Sequence, residues 1–167
     1  MTLFAFASGC CGDTMTCSSS SQHISVSSED ELQVIVSPQH PLAKARSVTP
    51  KQLVAYPYVS RESGSGTREF TDLYFRKAGV NPTELSVVME LGSPEALKGV
   101  VETGLGFAIL SKATVAKEQK LGELVAVPLT PKLLRSLSLV YPKEQFRSRL
   151  VNTFVEFAQA RMKDTVL

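Results

Sequence analysis

The chain has 167 residues, 43% of them hydrophobic and 20% charged, enough to bury an ordinary core as one domain or two small lobes. Lys plus Arg number 18 against 16 Asp plus Glu, a formal charge of +2, with no clustered patch to suit a nucleic acid or a membrane surface. No segment approaches the roughly 18 to 20 consecutive apolar residues of a membrane helix.

The first residues, "MTLFAFASGC", lack the charged start of a secretory signal, and Leu3–Ala7 is shorter than the roughly 7 to 15 apolar residues such a signal carries. All 3 cysteines, Cys10, Cys11 and Cys17, lie in this segment with His23 close by. Their spacing forms no C-x-x-C pair, and adjacent Cys10 and Cys11 are poorly placed to face one ion. No metal and no cofactor is expected. Residues 17 to 22, "CSSSSQ", read as linker, and residues 1–22 as an irregular leader.

From residue 24 short apolar runs alternate with helix-period runs. In "ELQVIVSP" (31–38) Leu32, Val34 and Val36 recur at period two, as in a strand that ends at a Ser-Pro turn. Thr49 as N-cap and Pro50 at the first helical position start a short helix. "YPYVSR" (56–61) reads as a strand. Phe70, Leu73, Tyr74 and Ala78 then recur at helical spacing, and Gly79 stops that helix. "LSVVMEL" (85–91) is a β-branched strand. Ser93 caps and Pro94 starts a helix that buries Leu97, Val100 and Val101 and ends at Gly104. "FAILS" (107–111), "LVAVPL" (124–129) and "LSLVYP" (137–142) are further strands. A last helix, 143–163, carries Phe146, Leu150, Val151, Phe154, Phe157 and Ala158 on one stripe. This alternation predicts the α/β class, with a mainly parallel sheet flanked by helices. In such sheets ligands collect beyond the carboxyl ends of the strands.

The stretch "RESGSGTREF" (61–70) occupies such a place. It is no phosphate P-loop, because Thr67 and Arg68 stand where Lys-Ser/Thr is needed, and no dinucleotide fingerprint, because Glu69 stands where the third glycine belongs. The remaining reading is a turn that delivers the bare N–H groups of a new helix, with Ser and Thr hydroxyls, to an anion. Arg68 or Arg61 adds a charged donor. A plain helix cap accounts for one or two of these residues. Ser93, after Gly92, makes a second helix start on the same side, and by itself it reads as a cap.

Catalysis finds little material. His23 falls in the leader and His40 in the turn-like "SPQHPLA", and neither has the orienting partner of a triad. No H-E-x-x-H, D-x-D or apolar carboxylate pair occurs, so a binding module is expected, not an enzyme. Residues 97–118 superficially suggest a helix-turn-helix. However, Phe107–Leu110 suits a buried strand better than a tight turn, and the would-be recognition helix holds no arginine to contact guanine.

"SPQHPLAKARSVTPKQLVAYPYVSRESGSGTREFTDLYFRKAGV" followed by "ELGSPEALKGVVETGLGFAILSKATVAKE" resembles the effector-binding (substrate-binding) domain of LysR-type transcriptional regulators, which is similar in fold to type 2 periplasmic binding proteins. The resemblance runs from about Ile24 to Lys163 and is closest to members that control sulfur assimilation or carbon fixation. It implies two α/β lobes closing on a small, often anionic effector, with binding read out allosterically by a cytoplasmic homo-oligomer on DNA. It also implies that Ser65, Gly66 and Thr67 face the effector, with Gly92 and Ser93 in the neighbouring loop. The strand "ELQVIVS" would be one hinge crossing and Val127–Leu129 the other.

Against the family pattern, the winged helix-turn-helix, the linker helix and the first βαβ units have no counterpart in this sequence. The expected domain is 23–163: mostly a second lobe (about 36–128), with the last strand and helix of a first lobe (about 136–163). DNA would be reached only through the missing N-terminal domain. The competing reading is a solute-binding protein for a small anion; a third possibility is an enzyme on the same fold using Lys or Asp.

Overall fold

The computed structural model describes residues 5–9, 21–142 and 148–164. In chain order, strands β1 (Ala5–Gly9) and β2 (Ser21–Val36) lead to a 3-10 turn at Pro41–Lys44, helix α1 (Pro50–Leu53), β3 (Pro57–Arg61) and helix α2 (Gly66–Lys77). A 3-10 turn at Pro82–Glu84, β4 (Ser86–Leu91), α3 (Pro94–Glu102), β5 (Ala108–Ser111) and a 3-10 turn at Lys112–Val115 follow. Helix α4 (Ala116–Leu121), β6 (Val125–Val127), β7 (Leu133–Pro142) and α5 (Arg149–Asp164) complete the order. The chain divides into two compact units, one of residues 1–30 and 135–167 and one of residues 31–134.

The unit 31–134 is built on strands buried from both sides. Leu32, Val34 and Val36 of β2, each 0% exposed, join Tyr58, Phe75, Phe107 and Ile109 in one core. Ile35, one residue out of that phase, joins Val59, Leu97, Val101, Ala108 and Leu110 in another. Period-two alternation therefore feeds two cores, because successive side chains leave opposite faces of a strand. Helix α2 supplies Tyr74 and Phe75 to the first core, and α3 supplies Leu97 and Val101 to the second. The α/β class predicted from the sequence is borne out. The parallel part is β3 beside β4, with a parallel bridge from Tyr58 to Phe107 at the start of β5. By contrast β2 runs antiparallel to both β5 and β6, so the expected parallel character stops at β2.

β5 (Ala108–Ser111) is buried at every position and follows the equally buried Phe107, so the span 97–118 is helix, strand and helix and not a helix-turn-helix. Gly106 explains how β3 and β5 approach so closely: a Cβ there would lie 2.3 Å from the Pro57 carbonyl oxygen. The backbones bond directly at that point, Phe107 N–H to Pro57 O at 2.9 Å and Val59 N–H to Phe107 O at 2.8 Å. The chain leaves this unit only after Leu134, beyond the Val127–Leu129 stretch named from the sequence.

In the other unit, β1 pairs antiparallel with β7, Ala7 opposite Ser138, so part of the segment read as an irregular leader is a strand. Asp30 and Arg135, both partly shielded, form an ion pair of 2.6 Å. Helix α5 buries Val155 with Val151 and Ala158 against it. Leu150, Phe154 and Phe157 of the predicted stripe stay 80%, 43% and 59% exposed. Phe146, Cys10, Cys11 and Cys17 lie outside the described residues. Among the described residues no helix is long and apolar enough to cross a membrane.

Two glycines test this architecture in opposite directions. Gly106→Ala should destabilise the chain by about 1–3 kcal/mol, because the backbone at Pro57 must move. Gly99→Ala, mid-α3 with open space at the Cβ position, should stabilise it by about 0.5–1 kcal/mol through lost unfolded-state freedom. Urea unfolding of the two variants against the parent measures both, and matching signs would contradict the β3–β5 contact.

Candidate ligand-binding site

Strands β3 and β4 end side by side, Arg61 opposite Leu91, so the loops that follow them open at the same end of the sheet. The first loop is a turn closed by Ser65 N–H to Glu62 O at 3.2 Å, with Gly64 at φ +84°. That left-handed conformation at the third turn position is why a glycine stands there. Ser65 then becomes the N-cap of α2, 7% exposed, and its carbonyl accepts the first helical bond from Glu69 N–H at 3.0 Å. Its hydroxyl makes no capping bond. The first-turn N–H groups, which have no carbonyl four residues back, therefore receive no acceptor from the cap residue. The helix dipole adds partial positive charge at the same point.

The start of α3 is arranged differently. The Ser93 hydroxyl accepts from Ala96 N–H at 3.3 Å and donates to the Glu95 carboxylate at 3.1 Å. Glu95 is held below the usual carboxylate range by its own backbone N–H and then by Ser93. Pro94 has no N–H to offer, so this helix start is closed by its own residues. Ser93 acts as the helix cap that the sequence suggested.

Arginines join the two loops. Arg61, with its side chain 16% exposed, grips Glu62 with two bonds, Nε to Oε2 at 2.8 Å and Nη2 to Oε1 at 2.9 Å. The same Nη2 reaches the Gly92 carbonyl at 3.4 Å. This pairing is the main reason the Glu62 carboxyl sits below its ordinary range. Glu62 N–H also bonds Leu91 O at 3.2 Å. Arg68 lies along the flank of α2, bonding Arg61 O at 3.1 Å and Glu90 at 2.8 Å. The structure thus brings Ser65, Gly66, Thr67, Gly92 and Ser93 to one end of the sheet and commits the Arg68 guanidinium to β4. Sequence reasoning missed the Arg61–Glu62–Gly92 clasp, since nothing in the spacing of neighbouring Arg61 and Glu62 says that they pair with each other.

His40 is half-buried and capping: its Nδ1 accepts from Leu42 N–H at 3.2 Å, and its ring stands 5.1 Å from that of Tyr56. Burial lowers its pKa, which suits the acceptor role. Among the described residues no group of His, Cys, Asp and Glu could hold a metal ion.

Two α-helical starts stand at the carboxyl ends of adjacent parallel strands, the place where ligands collect in open α/β sheets, and the fold is of the periplasmic-binding-protein-like kind. The chain belongs to the LysR substrate binding domain family, whose sequence model matches residues 15–163. It is 40% identical over 131 residues to the Escherichia coli K12 protein named uncharacterized HTH-type transcriptional regulator YeiE, covering 77% of this chain and 43% of that one. It is 36% identical over 130 residues to the transcriptional activator CmpR of Synechocystis, covering 77% and 42%. The chain therefore spans less than half the length of these curated relatives. The regulatory domain of Synechocystis CcmR in complex with 2-PG superposes with a TM-score of 0.81 at 24% identity, covering 97% of this chain and 74% of that one. That likeness is one of fold.

Because Ser93 caps and Ser65 does not, alanine at the two positions should separate. Ser93→Ala should cost about 0.5–2 kcal/mol of stability, the usual value of a lost cap, and Ser65→Ala markedly less. Equal losses in parallel thermal unfolding curves would contradict the difference between the two helix starts.

Proposed function

We propose that this chain is the effector-sensing part of a LysR-type transcriptional regulator and binds a small anionic metabolite at the start of α2, without chemistry being done on it. The observation that carries the reading is the contrast between the two helix starts. The one at Gly66 is uncapped by its own serine, while the one at Pro94 is closed. Ser65, Gly66 and Thr67 would hold the anion through backbone N–H groups and hydroxyls. Gly92 and Ser93 shape the adjoining wall, and the Arg61 clasp fixes the spacing of the two loops.

The regulatory setting rests on the family and on relatives named as transcriptional regulators; these also weigh against a solute-binding protein. In this reading residues 31–134 would hold the second lobe expected at about 36–128, and 136–163 would be the last strand and helix of the first. The regulator would work in the cytoplasm as a homo-oligomer that meets DNA through a winged helix-turn-helix outside this sequence.

A thermal-shift screen of the chain against small phosphate and carboxylate anions tests the site. A true effector at about 100 times its Kd should add about 2.7 kcal/mol of apparent stability, since it binds only the folded state. Thr67→Ala and Ser65→Ala should weaken that gain, by about tenfold in affinity for a lost hydrogen bond to a charged group. Affinity indifferent to both substitutions would sink the assignment to α2.

A further inference from the structure

A second feature of the unit 31–134 extends along the flank of α2. Between α2 and the β3–β4 pair is a cavity of about 300 Å³, the size of a small-metabolite pocket. Tyr58 and Ser60 of β3 and Val87 of β4 line it from the sheet side, and the Pro82–Leu85 turn closes one end. The remaining wall is a stripe of α2: Arg68, Asp72 and Arg76, four residues apart and so on one face of the helix. The cavity runs from Arg68, in the first turn of α2, to Arg76, ten residues past Gly66 and about 15 Å along the axis, so its Asp72–Arg76 part lies beyond the helix start.

The charges in this stripe are unevenly spent. Arg68 is neutralised by Glu90 at 2.8 Å. Asp72 is half-buried and, among the described residues, makes no hydrogen bond and no ion pair within 4.0 Å, even with Arg76 one turn away. Burial raises its pKa, with the two arginines opposing that rise. The buried Tyr58 hydroxyl nearby is pushed up to about 12, chiefly by desolvation. An unneutralised carboxylate and an unspent guanidinium therefore face the same small space, their Cβ atoms about 5–6 Å apart. Leu85 and Val87 add apolar surface at its edge.

We infer that this cavity is a binding site for a small zwitterion of the α-amino-acid class, its ammonium group on the Asp72 carboxylate and its carboxylate on the Arg76 guanidinium. A guest of that kind supplies both missing partners at once, whereas a simple anion would meet Asp72 as a like charge. The apolar lining at Leu85 and Val87 would take a short aliphatic or thioether side chain.

Titration calorimetry of the full chain with free leucine, methionine and alanine, and with their N-acetyl and amide derivatives, decides the matter. At least one free amino acid should bind, and the forms lacking either charge should not. Asp72→Asn and Arg76→Ala should each weaken binding at least about tenfold, while Thr67→Ala should leave it unchanged. The exposed position of Arg76 keeps the test valid if Asp72→Asn disturbs folding. No heat from any of the free amino acids up to about 10 mM, a Kd weaker than roughly 3 kcal/mol of binding, would overturn the inference. So would binding that survives both substitutions, or that is lost with Thr67→Ala.

Discussion

Everything functional in the unit 31–134 depends on strands that are buried on both faces. β2 sends Leu32, Val34 and Val36 into one core and Ile35 into the other; β3 and β5 divide their side chains in the same way. With β2, β3 and β5 covered in this way, solvent meets the ends of the strands and the exposed edge strand β4. Of these, the end where β3 and β4 release the chain is the one that carries helix starts. That end is where open α/β sheets generally place their ligands, so the layering singles it out as the candidate site before any particular residue is considered.

The sheet places two helix starts together, and local chemistry makes them unequal. At α3 a proline removes one donor and Ser93 occupies another, so the dipole is answered inside the chain. At α2 the corresponding serine makes no capping bond, although the residue is mostly buried. Leaving a helix start without the side-chain cap its serine could give forgoes stability that a simple reorientation would recover. Such a departure from local optimality is expected at a functional position and not at a purely structural one. The Arg61 clasp to Glu62 and Gly92 supports the same view, because it fixes the distance between the loops without itself filling the helix start.

Much of this was legible in the sequence. The period-two run at Leu32, Val34 and Val36, the Thr49-Pro50 and Ser93-Pro94 starts, and the stops at Gly79 and Gly104 all rest on local rules that the fold keeps. What could not be read was set by distant pairing. The polar "SQHISVSSED" half of β2 has weak strand character of its own. The strand at Ala5–Gly9 exists by pairing with β7 more than a hundred residues later. The direction of β2, antiparallel to β5 and β6, likewise depends on where the chain crosses between units and leaves no local trace. Among candidate site residues, the serines, glycines and Thr67 were found because turn and cap chemistry is local. The commitment of Arg68 to Glu90 was hidden because its partner comes from another strand.

Helix α2 joins these observations. Its first turn meets the proposed anion site, its Tyr74 and Phe75 anchor it in the core, and its Arg68–Asp72–Arg76 stripe overlooks the flank. The anchor restricts how the helix can respond. With Phe75 fully buried and the Tyr74 hydroxyl bonded to the Pro131 carbonyl at 2.6 Å, α2 cannot shift at one end without carrying the core with it. Close-packed interiors resist such continuous deformation. A displacement at the helix start would therefore have to involve the whole of α2, which passes the cavity and bonds the exposed strand β4, whose Val87, Val88 and Met89 stand 42%, 44% and 39% exposed. The same rigidity makes Arg68 the natural joint between the two ends, since its guanidinium holds the loop carbonyl of Arg61 on one side and β4 on the other.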